Sequence, residues 1–396
     1  MAAPMLKLLG IMSAITTACG ISTAFKVPEE RLCRLLALNA KANGWETVVF
    51  HPAAYNPITG QIDGITLHKG VWVRHLTSTP HIVYDRHFSR NATDRATARH
   101  TLQQLERLGT ITLNGSPLPG KREVYRKLAG NQELLSLIPP TKILRADSAS
   151  GLEGMLARYP TGVFLKPSSG MQGKGTIAIQ QAPLHDGYLV RGRSHLNKPY
   201  TMIVKDHARL LAWIGSHSSR VPYLVQPLLN LLTAAGEPYD VRVLVQKDGT
   251  GRWRISGTTA RQGAPGTMTA NLHGGGSAHP LDPFLTKQFG RQQAGELKEH
   301  MITSALQAAR NLEQSYGRFA ELGLDFGIEP DGRLWFIEAN SKPGRTFFRK
   351  LGDHKGELRS LSWLLQYART LARQSALRRG TVVNPAADAY HKSFHS

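Results

Sequence analysis

The sequence predicts an α/β protein of more than one domain, on three observations. Residues 1 to about 115 alternate strand-like and helix-like segments, as a small open α/β unit does. At 396 residues the chain is long for a single hydrophobic core. Further on, a strand, a glycine-rich loop and a second strand over 161–180 precede two apolar, acid-bearing runs within Leu322 to Gly344.

In order along the chain, Leu6 to Ile15 reads as a buried first strand that runs into a Gly/Ser/Thr loop, and Pro28 to Asn43 as the helix after it. The stretch Leu8 to Phe25 behind Lys7 has some character of a secretory h-region. Ser13, Thr16, Thr17 and Ser22 thin it, and the strand reading fits better. Thr47 to Phe50 is a strand, followed by a Gly/Pro-rich stretch to about Pro80. A short strand His81 to Tyr84 and a helix around Thr93 to Leu108 close the region. Lys121 opens the helical stretch KREVYRKLAGNQELLSLI, which Pro139-Pro140 stops. Strands at Thr161 to Lys166 and Thr176 to Gln180 flank the glycine loop, and a basic stretch with Arg191, Arg193, Lys198, Lys205, Arg209 and Arg220 follows. Three strand candidates come next, Tyr223 to Gln226, Asp240 to Gln246 and Arg252 to Thr259. A long helix spans about Pro283 to Tyr316, and another lies near Gly356 to Gln374. These elements divide the chain into a unit over 1–115, a larger one over 116–375 with a lid at about 141–222, and a polar, flexible tail over 376–396.

Composition excludes several classes. The formal charge of +21, from 49 basic against 28 acidic residues, implies a polyanion, an acidic substrate or an anionic supramolecular partner. No RNP-like motif, zinc-finger spacing or helix-turn-helix signal accompanies it, so sequence-specific nucleic-acid binding is not expected. The two cysteines, Cys19 and Cys33, form no CxxC pair, which argues against a disulfide scaffold or zinc site and for a reducing, cytoplasmic compartment. No later run approaches the ~20 apolar residues that span a bilayer, so no membrane partner is expected.

The run LGLDFGIEPDGRLWFIEANSKPG carries the densest chemistry. Residues two apart on a strand share a face, so Glu338 and Asn340 point the same way, and the turn Pro330-Asp331-Gly332 brings Asp325 alongside. Three hard oxygen ligands on one pleated surface suit Mg²⁺, although a hairpin with a surface carboxylate pair would read similarly. The loop Ser168 to Gly175 fits neither a Walker A motif, having Ser168 at the first glycine, nor a Rossmann fingerprint, because it opens a strand and not a helix. It remains a flap whose backbone N–H groups can cover phosphates, with Lys166 beside it as a point charge. Tyr223 to Leu229 is apolar with a single Gln, suited to a flat base or to an ordinary buried strand. Along DVRVLV, Val241, Val243 and Val245 share one face and leave Asp240 and Arg242 on the other, where Arg242 can hold a phosphate or carboxylate or form a structural ion pair. His273 with Gly274-Gly275-Gly276 is similar to an esterase oxyanion loop, but no GxSxG elbow exists to complete one.

Together, the lysine, the glycine flap and the later D…E-x-N-x-x-PG resemble the ATP-grasp superfamily over about Gly115 to Gln374. DVRVLVQ, TARQG and NLHGGG are similar to RimK-type carboxylate–amine ligases. LGIM, IVYDR, LKPSSGMQGKG, VRVLVQKDGTGRWRISG and NSKPG match the YheC/YheD family of spore-coat-associated ATP-grasp proteins. The resemblance implies an ATP-grasp fold with an N-terminal pre-ATP-grasp α/β domain and a mobile glycine-rich lid. It implies Mg²⁺-ATP as the energy source, with two Mg²⁺ ions, replaceable by Mn²⁺. The implied activity is ligation of a carboxylate to an amine, or less readily a thiol, through an acyl phosphate, in spore coat formation or modification. The alternative it leaves is a nucleotide-binding structural component docked on anionic coat material.

By position, the resemblance assigns Lys121, Lys166 and the flap (Ser168, Gly170, Gly173, Gly175) to phosphates, the backbone of Gln226, Pro227 and Leu228 to adenine, and Asp240 to the ribose region. Asp325, Glu338 and Asn340 fall on metal ligands, and Arg242, Arg261 and Asn271 on the acyl-phosphate region. One departure stands out. RimK ligases carry an arginine two residues before the Asn of NLH, and this chain has Thr269, so their glutamate substrate does not carry over.

Overall fold

In the N-terminal sheet, strand Lys7–Met12 lies between parallel strands Trp45–Phe50 and Ile82–Asp85, with Ile111–Leu113 beyond the latter. The computed structural model describes residues 7–17, 25–115, 117–144, 149–168, 170, 173–182, 186–218, 221–264, 266, 267, 270 and 275–380. Helix Glu30–Ala42 covers one side of this sheet by burying Leu32, Cys33, Leu36, Ala37 and Ala40, a stripe at three- and four-residue spacing. The Gly/Pro-rich stretch up to Pro80, given no element in the sequence reading, holds an antiparallel hairpin, Gln61–His68 with Val71–Ser78. Its turn residues Lys69 and Gly70 both have positive φ (45° and 83°), as a two-residue turn matched to strand twist requires.

Beside a two-stranded ribbon of Thr16–Thr17 with Phe25–Lys26, two larger antiparallel sheets follow. The six-stranded one runs in the order Lys142–Leu144, Tyr223–Pro227, Val163–Pro167, Ile177–Gln181, Tyr188–Arg193, Pro199–Val204. The five-stranded one runs Ser277–His279, Trp253–Gln262, Tyr239–Lys247, Glu321–Ile328, Leu334–Asn340. The sheets have two main cores: Leu165, Ile179 and Val190 pack within the first, and Val241, Val243, Val245, Leu324 and Phe326 pack with the helix Arg291–Tyr316 beneath the second, which Leu224 of the first sheet also joins.

Helix boundaries differ from the sequence expectation at glycines. The segment from Lys121 breaks into Lys121–Ala129 and Gln132–Leu135, the second started by the Asn131 side chain, which accepts from the Glu133 N–H at 2.9 Å. The long helix divides at Gly290 (φ 77°) into Leu281–Phe289 and Arg291–Tyr316. The last helix, His354–Gly380, runs past the expected start of the tail; the rest of that tail, residues 381–396, lies outside the described residues.

That last helix packs on two sheets at once, meeting the strands Tyr239–Lys247 and Trp253–Gln262 as well as the N-terminal sheet. Leu361, Leu364, Leu365, Tyr367 and Leu371 join the core of the N-terminal sheet, against Leu9, Ile11 and Leu36. A polar seam crosses the same boundary. Glu321, wholly buried, accepts from Tyr84 Oη at 2.5 Å, from Gln246 Nε2 at 2.9 Å and from Arg345, which also reaches Ser360. A buried carboxylate so surrounded is satisfied where an isolated one would be costly.

Candidate functional site

The upper face of the five-stranded sheet collects the charged residues because its lower face is committed to the core. Asp240 and Arg242 alternate with Val241, Val243 and Val245, so burial of the valines turns both charges upward. Register then sets the neighbours. Arg242 lies opposite Asp325, Asp325 opposite Glu338, and Asp240 opposite Arg261. A bulge after Asp325 pairs Phe326 with Phe336 and leaves Ile337 as the extra residue, which keeps Glu338 on the face of Asp325.

Asp325 is the hub of this row. Arg242 grips its carboxylate through two guanidinium nitrogens, the Nη2 contact at 2.9 Å, and Arg261 Nη2 adds another at 2.9 Å. Arg261 also holds Asp240 bidentately at 2.5 and 2.7 Å. Burial opposes ionisation of Asp325, but the two guanidiniums outweigh it and hold its carboxyl below the usual carboxylate range. Of the two sequence readings of Arg242, the structure displays the ion pair. Gly323 makes room for it, since a Cβ there would meet Pro343 at 2.8 Å and Arg242 Nη1 at 3.3 Å.

The facing half comes from the six-stranded sheet and the helix Lys121–Ala129. Lys166 is buried, donates to Tyr125 Oη and to the Ile337 carbonyl (3.4 Å), and lies 4.6 Å from the Tyr125 ring centroid. Burial, countered in part by Glu338, brings its ammonium pKa down from 10.5 to about 7. Lys121, at the first position of its helix, reaches Glu338 Oε1 at 3.3 Å and donates to the Gly170 carbonyl of the flap at 2.7 Å. The two lysines thus converge on the strand end that carries Glu338. The flap begins where Ser168 N donates to Pro222 O at 2.9 Å, and it ends in Gly173 and Gly175, with φ of 70° and 72°.

At the proposed base site, Gln226 is buried and its Nε2 donates to Thr141 Oγ1 at 2.8 Å. Pro227 ends its strand opposite Val163, and the Leu228 N–H is engaged by the Gly162 carbonyl at 3.0 Å. Asn271, Thr269 and His273 lie outside the described residues, as does Arg220 of the basic stretch. In that stretch Lys198 and Lys205 flank the edge strand Pro199–Val204 and are exposed, as is Arg209, whereas Arg191 and Arg193 turn inward. Tyr188–Arg193 is covered by the edge strand Pro199–Val204; Arg191 binds Gln180 at 2.7 Å, and Arg193 is buried on Asn197 at 2.7 Å.

Sequence reasoning missed the braces behind the site. Lys342, two residues past Asn340, is pinned to Asp85 and to the His87 carbonyl, both at 2.7 Å. Asn114, wholly buried with φ 57°, donates to Ser341 O at 2.5 Å and accepts from Ala320 N at 2.7 Å. One side chain therefore ties the ends of both acid-bearing strands to the N-terminal unit. The available signals were the acid of IVYDR and the Asn before the lysine-led helix.

Three comparisons bear on this geometry. The family model described as YheC/D like ATP-grasp matches residues 110–371. Among curated proteins, the chain is 26% identical to the endospore coat-associated protein YheD of Bacillus subtilis (strain 168) over 370 residues, covering 93% of this chain and 79% of that one. It is 25% identical to YheC of the same organism over 325 residues, 81% of this chain and 87% of that one. Among solved structures, D-cycloserine synthetase DcsG superposes with a TM-score of 0.53 at 12% identity, covering 93% of this chain and 99% of that one. The D-alanine–D-alanine ligase from Coxiella burnetii gives 0.51 at 11%, covering 95% and 99%. At such identities these two establish a shared fold, the ATP-grasp fold that the sequence motifs imply.

Proposed function

Because the chain belongs to the YheC/D-like ATP-grasp family, we propose that it is an ATP-dependent ligase that joins a carboxylate to an amine through an acyl phosphate. The observation that carries the reading is the convergence of Lys121, Lys166 and the flap carbonyl of Gly170 on the strand that bears Glu338 and Asn340, opposite Asp325.

The donor set fits Mg²⁺. Asp325, Glu338 and Asn340 offer only oxygen ligands on one face, and Glu338 is 29% exposed. Asp325 already accepts from two arginines, but a carboxylate has about four lone-pair sites and can take a metal as well. Bound there, Mg²⁺ would neutralise phosphate charge.

In this reading Lys121 and Lys166 hold the phosphates, the flap covers them, and the hinge at Gln226, Pro227 and Leu228 receives the base, with Asp240 toward the ribose. The lid, about residues 141–222, closes as a unit because its core is largely separate from the one beneath it. The substrate carboxylate oxygen attacks the γ-phosphorus and the bond to the β-phosphate oxygen breaks, releasing ADP. The amine nitrogen then bonds to the acyl carbon, inorganic phosphate leaves, and the amine proton passes to solvent. Arg242, Arg261 and Asn271 hold the acyl-phosphate oxygens, so the protein supplies positioning and charge and no nucleophile. An acidic substrate suits the net charge of +21.

A second reading, a nucleotide-binding component of the spore coat with no ligase turnover, is favoured by the coat association in both relatives' names. No described helix is long and apolar enough to cross a membrane. The two readings separate in one assay, phosphate release from Mg²⁺-ATP with mixed carboxylate and amine pools. The ligase reading expects release that Glu338→Ala abolishes. Background release from both proteins, with ATP binding intact, leaves the second.

A further inference from the structure

Behind the helix Lys121–Ala129 lies an open pocket of about 770 Å³, a volume within the usual range of small-molecule sites. Arg122 and Arg126 enter it from that helix, Lys142 from the edge strand of the six-stranded sheet, and Arg333 from the turn between the two acid-bearing strands. Its lining contains no Asp or Glu. Arg126 pairs with Glu123, whose carboxylate also feels the charge of Arg122, while among the described residues the side chains of Lys142 and Arg333 form no ion pair. The remaining surface is mostly apolar, and the Arg333 guanidinium stacks 4.1 Å from the centroid of the Trp335 ring, which Glu329 fixes through Nε1 at 2.7 Å. Convergent cations over an aromatic floor recognise an anion with a flat apolar body.

Two residues of this lining also face the site described above. Tyr125 lines the pocket and bonds Lys166 through its hydroxyl; Thr141 lines it and accepts from Gln226. We propose that this pocket is an effector site for a small organic anion, a carboxylate or phosphate monoester on a flat ring, coupled to the nucleotide site through Tyr125 and Thr141. The existence of the pocket's ligand does not depend on the ligase reading; the coupling does. Seating a ring against Tyr125 changes the support of Lys166, so effector and nucleotide alter each other's affinity by the same factor.

The experiment is a calorimetric titration of the full chain with 2-naphthoate and 1-naphthyl phosphate, against neutral 2-naphthamide, without nucleotide and then saturated with Mg²⁺ and a non-hydrolysable ATP analogue. We expect an anion to bind, the amide to bind at least about tenfold more weakly, and Arg122→Glu with Lys142→Glu to weaken the anion by about tenfold or more. Those side chains are solvent-exposed, and unchanged thermal unfolding of the variant confirms its fold. Preference between the two anions decides carboxylate from phosphate. No heat from either anion, equal binding of the amide, or full affinity in the folded variant overturns the site. Binding that is identical with and without the nucleotide analogue, when the analogue itself binds, overturns the coupling alone; failure of the analogue to bind counts against the ligase reading and leaves the pocket standing.

Discussion

The two halves of the candidate site handle charge in opposite ways. On the five-stranded sheet, Asp240, Arg261, Asp325 and Arg242 neutralise one another in a continuous row set by strand register. On the opposing sheet, Lys166 is buried with a tyrosine hydroxyl and a carbonyl as its hydrogen-bond partners, and its nearest influence of opposite sign is Glu338 across the cleft. The first half is prepaired, so its charges are held in place before any ligand arrives. The second carries a cation whose counter-charge has yet to arrive, as a phosphate-binding group would. The contrast teaches which side tolerates substitution: removing a charge from the paired row orphans its partners, whereas removing Lys166 orphans no charge.

The largest expected effect follows directly. Asp325→Ala should lower stability by about 3–5 kcal/mol, read from the urea midpoint, because it strips the largely buried Arg242 of its carboxylate and leaves Arg261 with Asp240 alone, and it should abolish turnover. A midpoint unchanged from wild type would mean that the row is not a mutually dependent network.

Lys166→Met should behave in the opposite sense, raising stability at pH 6 by about 1–3 kcal/mol while weakening nucleotide binding. The sign comes from linkage. Folding depresses this ammonium from 10.5 to about 7, so between those values the unfolded chain binds more protons and the wild type gains stability as pH rises. The advantage of the Met variant should therefore shrink across that window. For the same reason nucleotide affinity of the wild type should fall as pH rises past about 7, approaching about tenfold per unit, with up to one proton taken up on binding. Titrations in buffers of different ionisation enthalpy measure that uptake; none at pH 8 would remove Lys166 from the phosphate site.

The smallest effect belongs to the outer lid. Arg191→Ala should leave the acceptor KM within about twofold, since that side chain serves Gln180 inside the sheet. A large rise in KM would mean that Arg191 meets the acceptor as well as Gln180.

Legibility in the sequence follows locality. Alternation within DVRVLV paired Asp240 with Arg242, and alternation within IEAN paired Glu338 with Asn340, each on one face of its own strand, because period-two patterning depends only on burial of one side. The hairpin Gln61–His68 with Val71–Ser78 escaped because its second strand is exposed at Val71, Val73 and Leu76, so no apolar face announces it. Pairings across hundreds of residues, such as Asp85 with Lys342 or Asn114 with Ser341, leave no periodic trace, and neither does the engagement of Arg242 by Asp325. What one residue type does at a distance is decided by topology, which local pattern does not encode.

The placement of the last helix has a consequence for how the chain is made. The core around Leu9, Ile11 and Leu36 is finished by Leu361, Leu364 and Leu371, so a segment made early is sealed only after a much later one has been made. At the usual pace of translation that interval is on the order of tens of seconds, during which an unsealed apolar groove travels with the nascent chain. A chain that lacks Leu361, Leu364 and Leu371 therefore carries its packing defect around Leu9, Ile11 and Leu36, far from the missing residues in sequence.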